Sequence, residues 1–180
     1  MSKQAHPLTV AIIGGGPAGL MAADVLSQSN ANIRIDLYDA MPSLGRKFLM
    51  AGKGGMNISH AEPLEQLLPR YQHRKSVLAP LITAFGPEQI RAWMHSLGFE
   101  SFVGSSGKIF PKDLKAAPLL RAWLHRLRTA GVRCHARHQW LDWDAQQLRF
   151  NTPDGEKTIQ ADATILALGG ASWPQLGSSG

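Results

Sequence analysis

Short apolar runs alternate with amphipathic segments along most of the chain, a pattern typical of an α/β fold. Residues 8–13 form an apolar, partly β-branched run that predicts a buried strand. A helix is predicted over residues 17–29 and a second strand over residues 33–38. Together these segments make a βαβ unit of about 30 residues, the size expected of one right-handed crossover.

The pattern changes after residue 39, where a glycine-rich segment over residues 41–60 predicts a loop or a loop with a short helix. Further helices are predicted over residues 75–85, 87–97 and 116–129. Further strands are predicted over residues 99–102, 108–110, 132–136, 140–143, 148–151, 158–159 and 163–168. A turn is predicted at Asp154-Gly155, so the later strands should form a small β-hairpin or meander.

The first predicted strand runs directly into a glycine-rich turn, Gly14-Gly15-Gly16-Pro17-Ala18-Gly19. In a Gly-x-Gly-x-x-Gly motif the first glycine permits a tight turn, the second lets the backbone approach a pyrophosphate, and the third lets helix and strand pack closely. The N-terminus of the following helix offers free N–H groups and a positive dipole end to phosphates. Because the motif follows a strand and opens a helix, it predicts a dinucleotide-binding site.

The second predicted strand leads to Asp39, about 20 residues after Gly19. A carboxylate at this position can accept hydrogen bonds from ribose hydroxyls, and its charge would repel a 2′-phosphate. The motif does not separate FAD from NAD, because both contain an ADP half. Two segments favour FAD. They are the basic, glycine-rich stretch over residues 45–57 and the last predicted strand, which runs into Gly169-Gly170.

These motifs occur in the order found in a known family. The chain resembles the N-terminal part of the BaiN/YhiN-like NAD(P)/FAD-dependent oxidoreductases, whose FAD domain is of the glutathione-reductase type. The segments that carry the resemblance are residues 14–19, 45–47, 52–57, 107–111, 167–174 and 177–180. The resemblance implies a Rossmann-like FAD-binding domain over residues 1–180. It also implies that a substrate or cap domain and a C-terminal return segment are absent, so we expect a truncated chain.

The resemblance further implies roles for individual residues. Asp39 would bind the adenosine ribose, and Arg46 and Lys47 would bind the phosphates or the ribityl chain. Asn57 would lie near the flavin, and the backbone around Trp140 beside the adenine. The other implied cofactor-binding residues lie in the glycine turn, where the pyrophosphate would bind, and after the last strand: Gly14, Gly15, Gly16, Pro17, Ala18, Gly19, Ala167, Gly169 and Gly170.

One segment departs from the family pattern. Where the commonest sequence is Gly-Gly-Gly-Arg-Cys-Asn, this chain reads Gly52-Lys53-Gly54-Gly55-Met56-Asn57. We hypothesise that Lys53 binds the cofactor and supplies the positive charge that the arginine position has lost. The departure predicts a divergent subgroup and leaves the substrate open.

Composition limits the classes of partner. The 180 residues are 44% hydrophobic and 18% charged, as in a globular domain. A net charge of +6 suits an anionic ligand, but the basic residues form no long run, so no nucleic-acid partner is predicted. Cys134 is the only cysteine, which excludes an intramolecular disulfide and a cysteine zinc site. No metal site is predicted, and a cytoplasmic location fits the single thiol.

We therefore expect a flavoprotein oxidoreductase that passes hydride through FAD to an unidentified small molecule, with NAD(P)H as a transient reductant. No residue stands out as catalytic, although His60 is a candidate general acid whose alternative is an ordinary surface role. Two other functions stay open. One is an NAD-binding Rossmann dehydrogenase, which would share residues 14–39. The other is a non-catalytic nucleotide- or RNA-associated binding module, which would use the positive charge. No membrane span is expected, and the sequence does not predict the oligomeric state.

Overall fold

The computed structural model describes residues 6–29, 31–51, 55–170 and 175. Its strands are β1 (Leu8–Ile13), β2 (Ile33–Asp39), β3 (Ser59–His60), β4 (Ser101–Val103), β5 (Lys108–Pro111), β6 (Arg133–Ala136), β7 (Gln139–Asp144), β8 (Gln147–Thr152), β9 (Gly155–Ile159) and β10 (Ala163–Leu166). Its α-helices are α1 (Pro17–Ser27), α2 (Arg46–Ala51), α3 (Leu64–Leu67), α4 (Lys75–Ala84), α5 (Pro87–Ser96) and α6 (Ala116–Thr129), and a 3-10 helix covers Leu68–Arg74. The chain forms two compact units, one of residues 1–48 with 124–180 and the other of residues 49–123.

The first unit is built on a four-stranded parallel sheet with the strand order β10-β1-β2-β6. The four residues from Val10 to Ile13 in the central strand are at most 4% exposed. Burial on both faces explains why this strand is a continuous apolar run rather than an alternating one. The helix α1 connects β1 to β2, so the predicted βαβ unit is confirmed.

A three-stranded antiparallel meander, β7-β8-β9, belongs to the same unit. Leu148 and Phe150 of β8 are buried in one cluster with Ala11, Ile13 and Tyr38 of the parallel sheet. The predicted meander is therefore confirmed. Its second turn lies one residue earlier than predicted, because Thr152 pairs with Gly155 and leaves residues 153–154 as the turn.

A buried carboxylate ties α1 to α6 within the first unit. Asp24 is 1% exposed and forms an ion pair with Arg126 of α6. The amide nitrogen of Gln28 donates a hydrogen bond to Asp24 Oδ1 over 2.8 Å. Arg126 and Gln28 compensate the buried charge of Asp24, a residue that the apolar pattern of α1 does not predict.

The second unit contains a smaller antiparallel sheet with the order β3-β5-β4. Its core includes Met94, Ile109, Leu119 and Trp123, each at most 1% exposed. None of the residues in α3 and the 3-10 helix is buried, and the sequence predicted neither element. No helix in the described part of the chain is both long and apolar enough to cross a membrane.

Candidate functional site

A cavity of about 390 Å³ lies in the first unit, where the carboxyl ends of β10, β1, β2 and β6 meet. The strands β2 and β6 lie on one side of β1, and β10 lies on the other side, so the strand order changes direction at β1. Open α/β sheets bind ligands at such a switch point. Most of the predicted cofactor-binding residues line this cavity: Gly14, Gly15, Gly16, Pro17, Ala18, Asp39, Arg46, Lys47, Trp140, Ala167 and Gly169.

Four predicted residues stand apart from that set. Gly19 is buried beneath the turn, and Gly170 follows Gly169 after the last strand. Asn57 belongs to the second unit, shortly before β3. Lys53 lies outside the described residues, so the hypothesis about its charge stays a prediction.

The three glycines of the motif lack a side chain for different geometric reasons. Gly14 has a φ of +109°, in the left-handed region, and a Cβ there would lie 2.3 Å from the carbonyl oxygen of Ala167. A Cβ on Gly19 would lie 1.9 Å from the carbonyl oxygen of Gly14. Gly16, by contrast, has no atom within 4 Å of a Cβ position and lines the cavity. Gly14 and Gly19 therefore allow close packing, whereas Gly16 keeps the cavity open.

Asp39 braces the glycine turn. Its Oδ2 accepts a hydrogen bond from the backbone N–H of Gly15 over 2.6 Å, and its Oδ1 accepts one from Met41 over 2.8 Å. Gly45 N–H in turn donates to the carbonyl of Gly15 over 2.8 Å. The sequence indicated only a ribose contact for Asp39. The structure adds this bracing role, and each carboxylate oxygen can still accept a second hydrogen bond.

Two cations line the cavity beside the turn. Arg46 and Lys47 are partly buried, and neither is paired with a carboxylate in the part of the chain that the structure describes. The Nε of Arg46 is buried without an acceptor. In contrast, Arg133 and Arg149 each pair with an aspartate. Unpaired, partly buried cations next to a helix N-terminus fit an anionic group such as a pyrophosphate.

Tyr38 and His138 also line the cavity, although the sequence predicted no cofactor contact for either residue. Tyr38 is 4% exposed and stacks on His135 with ring centroids 4.6 Å apart. Burial, helped by the charge of Asp36, raises the pKa of Tyr38 to about 12, so its hydroxyl stays neutral. The sequence offered one signal for both residues, which is their position next to predicted cofactor contacts. Tyr38 directly precedes Asp39, and His138 lies between β6 and Trp140.

An ion network lies on the same sheet, around Asp36. Its carboxylate is paired with Arg133, lies 2.7 Å from the Nε2 of His135 and lies 3.6 Å from Arg34. Burial acts to raise the pKa of Asp36, but the hydrogen bonds from His135 and Arg133 outweigh it and hold the pKa below its usual range. This carboxylate is therefore ionised in the folded protein at neutral pH.

In the second unit, His60 is engaged with the backbone on both sides of its ring. Its Nδ1 accepts a hydrogen bond from the N–H of Glu62 over 3.2 Å, and its Nε2 lies 3.1 Å from the carbonyl oxygen of Ser106. A Cβ on Gly107 would lie 2.7 Å from the ring. These contacts hold the ring of His60, at the end of β3, against the backbone of residues 62 and 106–107.

The family model of the HI0933-like protein Rossmann domain matches residues 8–180. The chain belongs to this family. The resemblance drawn from the sequence motifs and the expected Rossmann-like α/β fold are both confirmed.

The HI0933-like domain is similar to 3-dehydro-bile acid delta(4,6)-reductase of Clostridium scindens, with 28% identity over 176 residues. The match covers 95% of this chain and 41% of the reductase, so the chain spans less than half the length of that relative.

Two solved structures share the fold at lower identity. Escherichia coli quinol fumarate reductase FrdA has a TM-score of 0.64 at 18% identity, covering 91% of this chain and 33% of that one. The 3-ketosteroid-delta4-(5alpha)-dehydrogenase of Rhodococcus jostii has a TM-score of 0.55 at 13% identity, and the match covers 96% of this chain and 48% of that one. At these identities the likeness shows the fold alone.

Proposed function

We propose that this HI0933-like domain binds FAD and forms the cofactor-binding part of a flavin-dependent oxidoreductase, with residues 1–180 assigned to that part. The observation that carries the proposal is the cavity at the carboxyl ends of the parallel sheet. Its glycine turn, the N-terminus of α1 and the side chains of Arg46 and Lys47 surround an open volume of about 390 Å³, and neither cation has a carboxylate partner among the residues that the structure describes. Such a combination fits the pyrophosphate of a dinucleotide.

The residues of the cavity have separate roles in this proposal. The free N–H groups of the first turn of α1, together with Arg46 and Lys47, hold the pyrophosphate. Asp39 accepts hydrogen bonds from the adenosine ribose while it braces Gly15. The segment 167–169, which follows β10, forms the opposite wall, and we assign Gly170 to the flavin side. A flavin contact of Asn57 stays a prediction of the family resemblance.

Bound FAD supplies hydride transfer, and the chain supplies binding and orientation. We propose NAD(P)H as the transient reductant and a small molecule as the final acceptor. The similarity to a reductase supports this direction of transfer. The acidic Asp39, whose charge repels a 2′-phosphate, argues against NADP(H) as the resident dinucleotide. The basic, glycine-rich stretch over residues 45–57 and the return of the chain to the cavity at residues 167–169 favour FAD over NAD. No side chain is assigned to acid–base chemistry.

The absorbance spectrum of the purified protein tests the proposal. We expect visible flavin absorbance and, after denaturation, release of about one FAD per chain, as one cofactor site requires. Anaerobic addition of NADH or NADPH should then bleach the flavin absorbance. A colourless protein that takes up no FAD on dialysis would refute the proposal. Uptake of NAD instead would favour a dehydrogenase, and salt-sensitive retention on RNA would favour a nucleic-acid-binding module.

A further inference from the structure

The surface helix α4 is apolar on the side that faces solvent. None of its ten residues is buried, and Val77 and Leu81, which lie one turn apart, are each 63% exposed. Lys75 is the only charged residue of the helix, whereas a surface helix of a globular domain normally presents charged and polar side chains outward. The exposed apolar residues recur at the i, i+3, i+4, i+7 spacing of one helical face. They form the outer face of α4: Val77, Pro80, Leu81 and Ala84.

Positive charge lies at the start of the same helix. Arg74 is the last residue of the 3-10 helix and Lys75 is the first residue of α4, and both are exposed. Neither is paired with a carboxylate in the part of the chain that the structure describes. Residues 66–87 contain no aspartate or glutamate, so the segment itself does not neutralise these two cations. An exposed aromatic residue, Tyr71, shortly precedes them.

These features define the chemistry of a partner that fits. It must be apolar where it meets the outer face of α4 and negative where it meets Arg74 and Lys75. Two copies of the chain that met through this face would satisfy only the first condition, because each would bring the same cations and no acidic residue. The surface of an anionic bilayer satisfies both conditions, since lipid phosphates lie directly above acyl chains.

We propose that the outer face of α4 docks on an anionic lipid bilayer. The ten-residue helix is about 15 Å long, too short to cross a hydrocarbon core of about 30 Å, so it lies in the plane of the interface. Arg74 and Lys75 pair with lipid phosphates, and Tyr71 lies at the level of the headgroups. This activity is separate from the proposed function, because these residues belong to the second unit and none of them lines the dinucleotide cavity.

Co-sedimentation of the full chain with lipid vesicles tests the electrostatic part of the proposal. The chain should bind vesicles of equimolar phosphatidylcholine and phosphatidylglycerol and bind pure phosphatidylcholine at least about tenfold more weakly. A cation near an anionic surface strengthens binding about fivefold, so Arg74→Gln with Lys75→Gln should weaken binding about tenfold or more. The matched control is Arg121→Gln with Arg128→Gln, which removes the same charge from the exposed side of α6 and should change binding little.

A second pair of variants tests the apolar part. Val77→Ser removes apolar surface from the outer face of α4 and should weaken binding to the anionic vesicles about threefold or more. Val25→Ser in α1 is the matched control, because the two valines are 63% and 64% exposed and both lie in helices. Serine and valine have similar helix propensities, so both variants should keep the fold, which circular dichroism and thermal unfolding check.

Several outcomes would overturn the proposal. These are no binding to anionic vesicles, equal binding to both kinds of vesicle, and equal losses in a variant and its matched control. A concentration-dependent dimer that Val77→Ser weakens and Val25→Ser does not would assign the face to a second copy instead. If one variant does not fold, the remaining variant and the wild-type protein still decide, because added salt should release the wild-type chain from anionic vesicles.

Discussion

At the scale of single residues, the glycines of the turn can be tested separately. Gly16→Ala should fold normally, because its φ is −78° and no atom lies within 4 Å of a Cβ. The added methyl group would occupy the path assigned to the pyrophosphate, so we expect FAD affinity to fall by at least about tenfold. Titration with FAD, combined with thermal unfolding of the apoprotein, measures both properties.

Gly19→Ala is the matched control for that experiment. Its Cβ would lie 1.9 Å from the carbonyl oxygen of Gly14, and relieving this clash requires a shift of the backbone. We expect a loss of about 1–3 kcal/mol in the free energy of unfolding. Unchanged FAD affinity in Gly16→Ala would contradict the pyrophosphate position.

Asp36 provides a test that depends on pH. Asp36→Asn should lower the free energy of unfolding by about 1–2 kcal/mol at neutral pH, a modest value because water screens its half-exposed arginine partners. The folded pKa lies below the unfolded one, so the contribution exists above the unfolded pKa and disappears as the pH falls through the folded value.

Urea unfolding of both proteins at neutral and acidic pH measures this effect. The difference between wild type and Asp36→Asn should shrink in acid. Asp154→Asn removes an exposed pair with Lys157 and should change little at either pH. A difference that stays constant with pH would show that the charge of Asp36 contributes nothing to stability.

At the scale of elements, the ion pair between α1 and α6 can be tested by its contribution to the free energy of unfolding. Asp24 is 1% exposed and paired with Arg126, so Asp24→Ala should lower the free energy of unfolding by about 2–4 kcal/mol. Asp24→Asn keeps the size and the hydrogen bond from Gln28 and should lose less. Denaturant unfolding measures both variants, and a loss below about 0.5 kcal/mol in Asp24→Ala would contradict the importance of the pair.

The elements with a buried, periodic face could be predicted from the sequence. The helix over Ala116–Thr129 was predicted with the bounds the structure has, because its apolar residues recur at helical spacing and a glycine follows it. The elements over Leu64–Leu67 and Leu68–Arg74 were missed because the first is a single helical turn and the second is a 3-10 helix with Gln72 outside the helical region, so neither is long or regular enough to show a 3.6-residue apolar period.

The cavity could be predicted only in part. The glycine turn and Asp39 are local signals with a known physical reason. The bracing of Gly15 by Asp39 and the placement of His138 depend on distances across the sheet, through the pairing of β2 with β6. Sequence periodicity identifies strands but does not report which strand is their neighbour.

At the scale of the whole molecule, the burial pattern predicts unequal local stability. The strands β1 and β2 lie side by side in the parallel sheet and each contains four consecutive buried residues, whereas α3, the 3-10 helix and α4 contain no buried residue. Hydrogen exchange should therefore be slowest in β1 and β2 and fastest in those helices. Faster exchange in β1 than in α4 would contradict this ranking.

The close approach of Gly14 to Ala167 has a consequence for biosynthesis. Parallel pairing of Ile13 with Leu166 brings together two cavity walls that lie 153 positions apart in the chain. A ribosome that has made the glycine turn must therefore add every element from α1 to β9 before the second wall exists, since such distant contacts form late. Nascent chains arrested before β10 should capture no flavin, so loading of the cofactor would show that synthesis has passed β10.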